Sequence, residues 1–157
     1  MSRLIKYKTR LTETKQVVLE KEASFNYPDE TLIITSPSDA AEIAIKYLKL
    51  NQNPEEHMAM LCLNTKNRVI GVFEISRGTV NSSVVGIREI FQKALLANAV
   101  HILLMHNHPS GDATPSREDI AITEKLMEAG EIVGVKVLDH LVIGDTFVSI
   151  KERLMLQ

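Results

Sequence analysis

The sequence predicts an α/β domain, a β-sheet with helices packed against it, and three observations carry the prediction. Apolar runs of strand length, His57–Leu63, Arg68–Ser76 and His101–Met105, alternate with segments whose apolar residues recur at helical spacing. The run His101–Met105 is mostly apolar, as in a strand covered on both faces at the centre of an α/β sheet. Each helical segment gathers its apolar residues on one stripe, and that stripe has to pack on a sheet.

Residues 1–34 read as an N-terminal arm with one strand, because Lys6, Lys8 and Arg10 alternate with Ile5, Tyr7 and Thr9. The main domain is expected over residues 35–157. It opens at Ser36-Pro37-Ser38-Asp39, with Ser36 as cap, Pro37 at the first helical position and Asp39 as reciprocal partner. Ala40, Ile43, Tyr47 and Leu50 continue that first helix. After the break Asn51–Pro54, two strands flank the hairpin turn Asn64-Thr65-Lys66-Asn67.

Gly78 and Asn81 mark a loop, and Ser82 or Ser83 offers a cap to a second helix striped by Ile87, Ile90, Phe91, Ala94, Leu95 and Asn98. The strand His101–Met105 stops at His106. Turn formers from Pro109 to Pro115 lead into a third helix carrying Ile122, Leu126 and Ala129, which Gly130 is expected to terminate. Val133–Leu138 and Leu141–Ile150 read as two further strands, the second interrupted at Gly144-Asp145. Ser149 to Glu152 can cap a short last helix.

At 157 residues the chain is one ordinary domain, large enough to bury roughly two thirds of its unfolded surface without a disulfide. Its single cysteine, Cys62, lies in an apolar run and reads as a small core residue, in keeping with a reducing, cytoplasmic location. The longest apolar runs fall far short of the roughly 20 residues needed to cross a bilayer. The N-terminus alternates charged and apolar residues, unlike a signal peptide. A net charge of −2 gives no positive field to gather nucleic acid, and the basic residues of Ile5–Leu11 read as a solvated face.

The segment His106-Asn107-His108-Pro109, followed by Ser116 and Asp119, carries the chemistry. Side chains at i and i+2 of an extended segment project from one side, so both imidazoles can reach one ion. An aspartate in the first turn of the next helix completes a three-ligand set. His/His/Asp suits zinc, and three protein ligands leave a fourth position for water, the catalytic pattern. A plainer reading stands beside it: Ser116-x-x-Asp119 is also a capping box that serves only its helix, and neighbouring histidines often just hydrogen-bond a loop.

His106-x-His108-Pro109, six residues, then Ser116-x-x-Asp119 resembles the JAMM signature of MPN-type metalloproteases. The wider context is similar to the bacterial RadC-like branch: Gly78-Thr79-Val80-Asn81-Ser82-Ser83, Arg88-Glu89-Ile90-Phe91, the motif itself continued through Pro109-Ser110-Gly111-Asp112, and Leu138-Asp139-His140-Leu141-Val142-Ile143-Gly144. The resemblance runs from about Ser36 to the C-terminus. It implies the MPN, cytidine-deaminase-like, three-layer fold with a mixed curved sheet flanked by helices. It also implies one zinc per chain, held by His106, His108 and Asp119, with Ser116 donating to the oxyanion of a tetrahedral intermediate. A glutamate at the start of the first sheet strand would move the proton of the attacking water. Position favours Glu56; Glu55 precedes the same run, and Glu74 competes because it shares strand parity with Ile70 and Val72.

The implied activity is a peptidase or isopeptidase acting on a peptide or protein substrate that the residues do not disclose. The longer RadC-like proteins carry an N-terminal helix-hairpin-helix segment, and with no such pattern in these residues a DNA-binding role attached to it is not carried over. A DNA-repair or mobile-element accessory role is the alternative, and a non-catalytic MPN scaffold is disfavoured because all four candidate positions are filled. A zinc deaminase would need Pro-Cys-x-x-Cys, and nuclease motifs named for His-Asn-His lack the Ser-x-x-Asp spacing. Asp139 and His140 read as a hydrogen-bonded strand-end pair, with a supporting contact to a ligand imidazole as the alternative. His101 reads as a satisfied core histidine, and His57 carries no assigned task.

Overall fold

A computed structural model describes residues 1–78 and 85–157. A seven-stranded sheet runs in the order β2-β1-β4-β3-β5-β6-β7, formed by β1 (Ser2–Leu11), β2 (Val17–Tyr27), β3 (His57–Leu63), β4 (Val69–Arg77), β5 (His101–Asn107), β6 (Lys136–Ile143) and β7 (Phe147–Ser149). The sheet is mixed: β1 runs parallel to β4 and β5 to β6, while the other neighbours are antiparallel. Among the described residues the helices are α1 (Pro37–Lys46), α2 (Ile87–Leu96), α3 (Arg117–Val133) and α4 (Ile150–Met155). None is long and apolar enough to cross a membrane.

The alternation of β3 and β5 builds two cores, one on each face. Ala59, Leu61, Leu63, Leu103 and Met105 pack with Ala40, Ile43 and Ala44 of α1. Met58, Met60, Cys62, Ile102 and Leu104 pack with Ile90 and Phe91 of α2 and Ile122 and Leu126 of α3. Both central strands are therefore covered on both sides, as their apolar runs require. Each fully buried Leu, Ile or Met contributes roughly 1.5–3 kcal/mol of transfer free energy. Cys62 is completely buried, and burial pushes its thiol up to about 12.

Several elements depart from the sequence expectation. The arm supplies two strands: β1 and β2 form an antiparallel hairpin from Ser2↔Tyr27 to Leu11↔Val17, and β1 joins the sheet through Lys6↔Val72 and Tyr7↔Phe73. The charges of Glu20, Lys21 and Glu22 interrupt the alternation of β2. Helix α1 stops at Lys46; Lys49 turns the chain with φ 55°, and Leu50 is buried from a following 3-10 turn. Helix α2 starts after Gly86 as cap; Asn81, Ser82 and Ser83 lie outside the described residues. Its stripe is narrower than expected, because Leu95 is 57% exposed and Asn98 lies beyond the last turn.

Gly130 does not end α3. The helix runs on to Val133 and closes on Gly134, whose φ of 84° suits a left-handed cap. Gly130 is needed for a different reason, since a Cβ there would lie 2.5 Å from the carbonyl oxygen of Val135. Val133 is accordingly helical, and β6 is one unbroken strand that carries Asp139 and His140 in its middle, both buried. Polar residues are tolerated there because each is fully hydrogen-bonded.

Candidate metal centre

Strand β5 delivers His106 on the same side as Ile102 and Leu104, facing α3, and His106 is fully buried. His108 follows one step beyond the strand, where its amide donates to the Ile143 carbonyl at 2.8 Å. The loop then folds back: the Gly111 amide donates to the His108 carbonyl at 3.0 Å and the Asp145 amide to the Gly111 carbonyl at 2.7 Å. Gly111 has φ 89°, and a side chain on Gly144 would collide with the Gly111 carbonyl. Two glycines thus clip the motif loop to the β6–β7 turn.

Helix α3 delivers the carboxylate. Ser116 Oγ accepts from the Asp119 amide at 3.0 Å, and Asp119 Oδ2 accepts from the Ser116 amide at 2.8 Å, a complete capping box. Capping and convergence on the histidines coexist. Asp119 Oδ1 lies 3.2 Å from His106 Nε2, Asp119 Oδ2 lies 3.2 Å from His108 Nε2, and the two Nε2 atoms are 3.1 Å apart. One ligand atom from each residue fits within a 4.8 Å span. Zinc bonds of about 2.0–2.1 Å put tetrahedral neighbours about 3.3 Å apart or slightly more, so the donor set fits that ion.

The electrostatics favour a cation at this point. Burial alone would raise the pKa of Asp119, but the hydrogen bond and charge of His106 and the Ser116 amide hold its carboxyl well below the usual range. His108 Nδ1 lies 2.8 Å from the Asp112 carbonyl; a carbonyl only accepts, so Nδ1 carries a proton, and Nε2 is the nitrogen that can offer a lone pair to a cation. His106 Nδ1 meets His140 Nε2 at 2.7 Å, and His140 Nδ1 meets Thr123 Oγ1 at 2.6 Å. Burial, reinforced by His106, drives the pKa of His140 far down, so its ring is neutral. His140 thus lies behind a candidate ligand rather than at a strand end.

The candidate bases separate by position. Met58 pairs with His106 across β3 and β5, and Glu56 immediately precedes the first residue of β3. Glu56 is half-buried there, whereas Glu55 is exposed. Asn107, buried to 1%, anchors this segment: its Oδ1 accepts the His57 amide at 2.6 Å, and its Nδ2 donates to the Glu55 and Asn53 carbonyls at 3.0 and 3.3 Å. Glu74 pairs with Ala59 and is occupied elsewhere, bound by Arg77 and by Lys6 at 3.2 Å; the Arg77 bond foremost lowers its pKa. Ser116 is exposed, and its hydroxyl hydrogen is not used in the capping box.

Asp139 has a structural task, accepting from the His140 and Lys151 amides at 2.7 and 3.2 Å and from Ser149 Oγ at 2.6 Å, which ties α4 to β6. His101 is satisfied by Asn67 at 2.7 Å, and His57 lies 3.9 Å from Glu74. Sequence reasoning missed Asn107 and Thr123. Thr123 had a signal, four residues after Asp119 and so on the same helical face; Asn107 had none beyond its place between the histidines.

Comparison with known proteins agrees with this architecture. The RadC-like JAB domain profile matches residues 34–155. A UPF0758 protein of Desulforamulus reducens is 50% identical over 128 residues, covering 80% of this chain and 56% of that protein. A UPF0758 protein of Bacillus cereus (strain B4264) is 50% identical over 121 residues, covering 76% and 53%, and the UPF0758 protein YsxA of Bacillus subtilis (strain 168) is 46% identical over 126 residues, covering 80% and 54%. The chain spans about half the length of these relatives. A mixed sheet between helices on both faces is consistent with an MPN-type fold, and the chain belongs to the RadC-like JAB domain family.

Proposed function

We propose that the chain is a zinc-dependent hydrolase of JAMM type, a metallopeptidase or isopeptidase acting on a peptide or protein substrate. One observation carries the reading: two buried or half-buried Nε2 atoms and the Asp119 carboxylate converge at 3.1–3.2 Å spacing. His106, His108 and Asp119 would hold the ion, with the half-buried His108 on the solvent side. Zinc in such a site supplies a Lewis acid and an acidified water at neutral pH.

The remaining steps belong to the chain. Glu56, immediately before β3 and two residues from the Met58 that pairs with His106, takes a proton from the attacking water and returns it to the leaving amine. Ser116 turns its unused hydroxyl hydrogen toward the developing oxyanion, a contact whose loss typically costs about 3 kcal/mol of barrier stabilisation. Asn107 holds the backbone on either side of Glu56.

The DNA-accessory reading has less support. Three basic residues of β1 have carboxylates beside them: Lys6 pairs with Glu22 and Glu74, while the exposed Lys8 and Arg10 lie 3.8 and 3.7 Å from Glu20. The test of the hydrolase reading uses a mixed peptide library and isopeptide-linked peptides. Glu56→Gln is expected to keep its metal and lose turnover, while Glu74→Gln keeps both. The reverse pattern would move the base to Glu74, and a wild type that cleaves nothing while binding DNA in a steeply salt-dependent way would favour the alternative.

A further inference from the structure

We propose that Thr123 and His140 are positioning residues that hold His106 with its proton on Nδ1, leaving Nε2 bare toward a divalent cation. The proposal rests on the metal-centre reading and deepens it. It follows from hydrogen-bond direction along a chain that begins and ends on candidate ligands.

The Asp119 carbonyl can only accept. Thr123 Oγ1 lies 2.6 Å from it, an approach two oxygens make only with a hydrogen between them, so the threonine hydroxyl donates there. That uses its one hydrogen. Toward His140 Nδ1, also at 2.6 Å, Oγ1 can then only accept, and Nδ1 carries the proton.

The next contact, His140 Nε2 to His106 Nδ1 at 2.7 Å, also needs one proton between its atoms. If His140 supplied it, His140 would be a doubly protonated cation in a fully buried position with no carboxylate hydrogen-bonded to its ring. His106 therefore supplies it. With Nδ1 carrying that proton, the nitrogen that offers its lone pair when the His106 ring is neutral is Nε2, 3.1 Å from His108 Nε2 and 3.2 Å from Asp119 Oδ1. The helical turn that presents the Asp119 carboxylate thus also sets, through its own carbonyl, the tautomer of the histidine on the neighbouring strand.

A purely structural role would need only that the cavity be filled, and the two roles separate by substitution. Thr123→Val keeps the volume and removes the hydroxyl, so His140 loses its reason to protonate Nδ1 and the chain can reverse, placing a proton on His106 Nε2. Thr123→Ser keeps the hydroxyl. Should Thr123→Val not fold, Thr123→Ala removes the hydroxyl without crowding.

The experiment has two arms. In metal-free protein labelled with 15N-histidine and held alkaline enough that the imidazoles are neutral, the wild type and Thr123→Ser are expected to show His106 protonated at Nδ1 and bare at Nε2, with the bare Nε2 signal lost or averaged in Thr123→Val. In a cobalt(II) titration followed by visible absorption, Thr123→Val is expected to bind roughly 10–100-fold more weakly, with Thr123→Ser restoring affinity. Wild type protonated at His106 Nε2, or equal cobalt affinity in Val and wild type, overturns the proposal alone. Wild type that binds no cobalt overturns it together with the metal reading.

Discussion

Asp119 and Ser116 exchange two hydrogen bonds, amide to carboxylate at 2.8 Å and amide to hydroxyl at 3.0 Å, and the same Asp119 oxygen that accepts from Ser116 lies 3.2 Å from His108. The start of α3 is therefore one device with two uses. It satisfies the first amides of the helix and aims a carboxylate at two imidazoles.

Ser116→Ala separates these uses. The lost cap is expected to lower stability by about 1 kcal/mol, read from a urea unfolding midpoint, while metal content is retained. Turnover is expected to fall about 100-fold or more as the oxyanion donor disappears. A Ser116→Ala protein with wild-type turnover would remove Ser116 from the chemistry.

Asn107→Ala is expected to act on both folding and activity. It strips partners from the His57 amide and the Asn53 and Glu55 carbonyls, and because these groups are only partly shielded from water the cost is expected at the low end of the range for an unpaired polar group, about 1 kcal/mol. Because Glu56 sits between two of these contacts, turnover should fall while the metal remains. Unchanged amide exchange across residues 53–57 in the variant would contradict the anchor.

Glu74 gives a pH-dependent prediction. Its folded pKa is lowered, by Arg77 first and then by Lys6, so its contribution to stability is present above the ordinary carboxylate range and is lost as pH falls through the depressed value. Glu74→Gln is expected to be slightly less stable than wild type at pH 7 and equal to it in strong acid. A difference that grows on acidification would reverse the assigned sign.

The legibility of the site follows from which relations are local in sequence. His106 and His108 share a side because they are two apart on an extended segment, and Ser116 and Asp119 meet because they are three apart at a helix start. Both facts are readable before any folding. The link from His106 to His140 is not, since it depends on the parallel β5–β6 register, Leu104↔His140, which a bulge near Leu103 shifts by one residue. The two glycines of α3 show the same limit: either could end a helix, and only the close approach of Val135 to Gly130 leaves that task to Gly134. Strand β2 escaped notice because its alternation is broken by charges that lie at the exposed sheet edge.

The central claim is that His106, His108 and Asp119 hold one divalent cation, and metal content tests it most directly. Elemental analysis of purified wild type beside His108→Ala and Asp119→Ala is expected to give about one zinc per wild-type chain and a large loss in both variants, with each variant's fold checked by circular dichroism. Equal metal content in all three folded proteins would contradict the account.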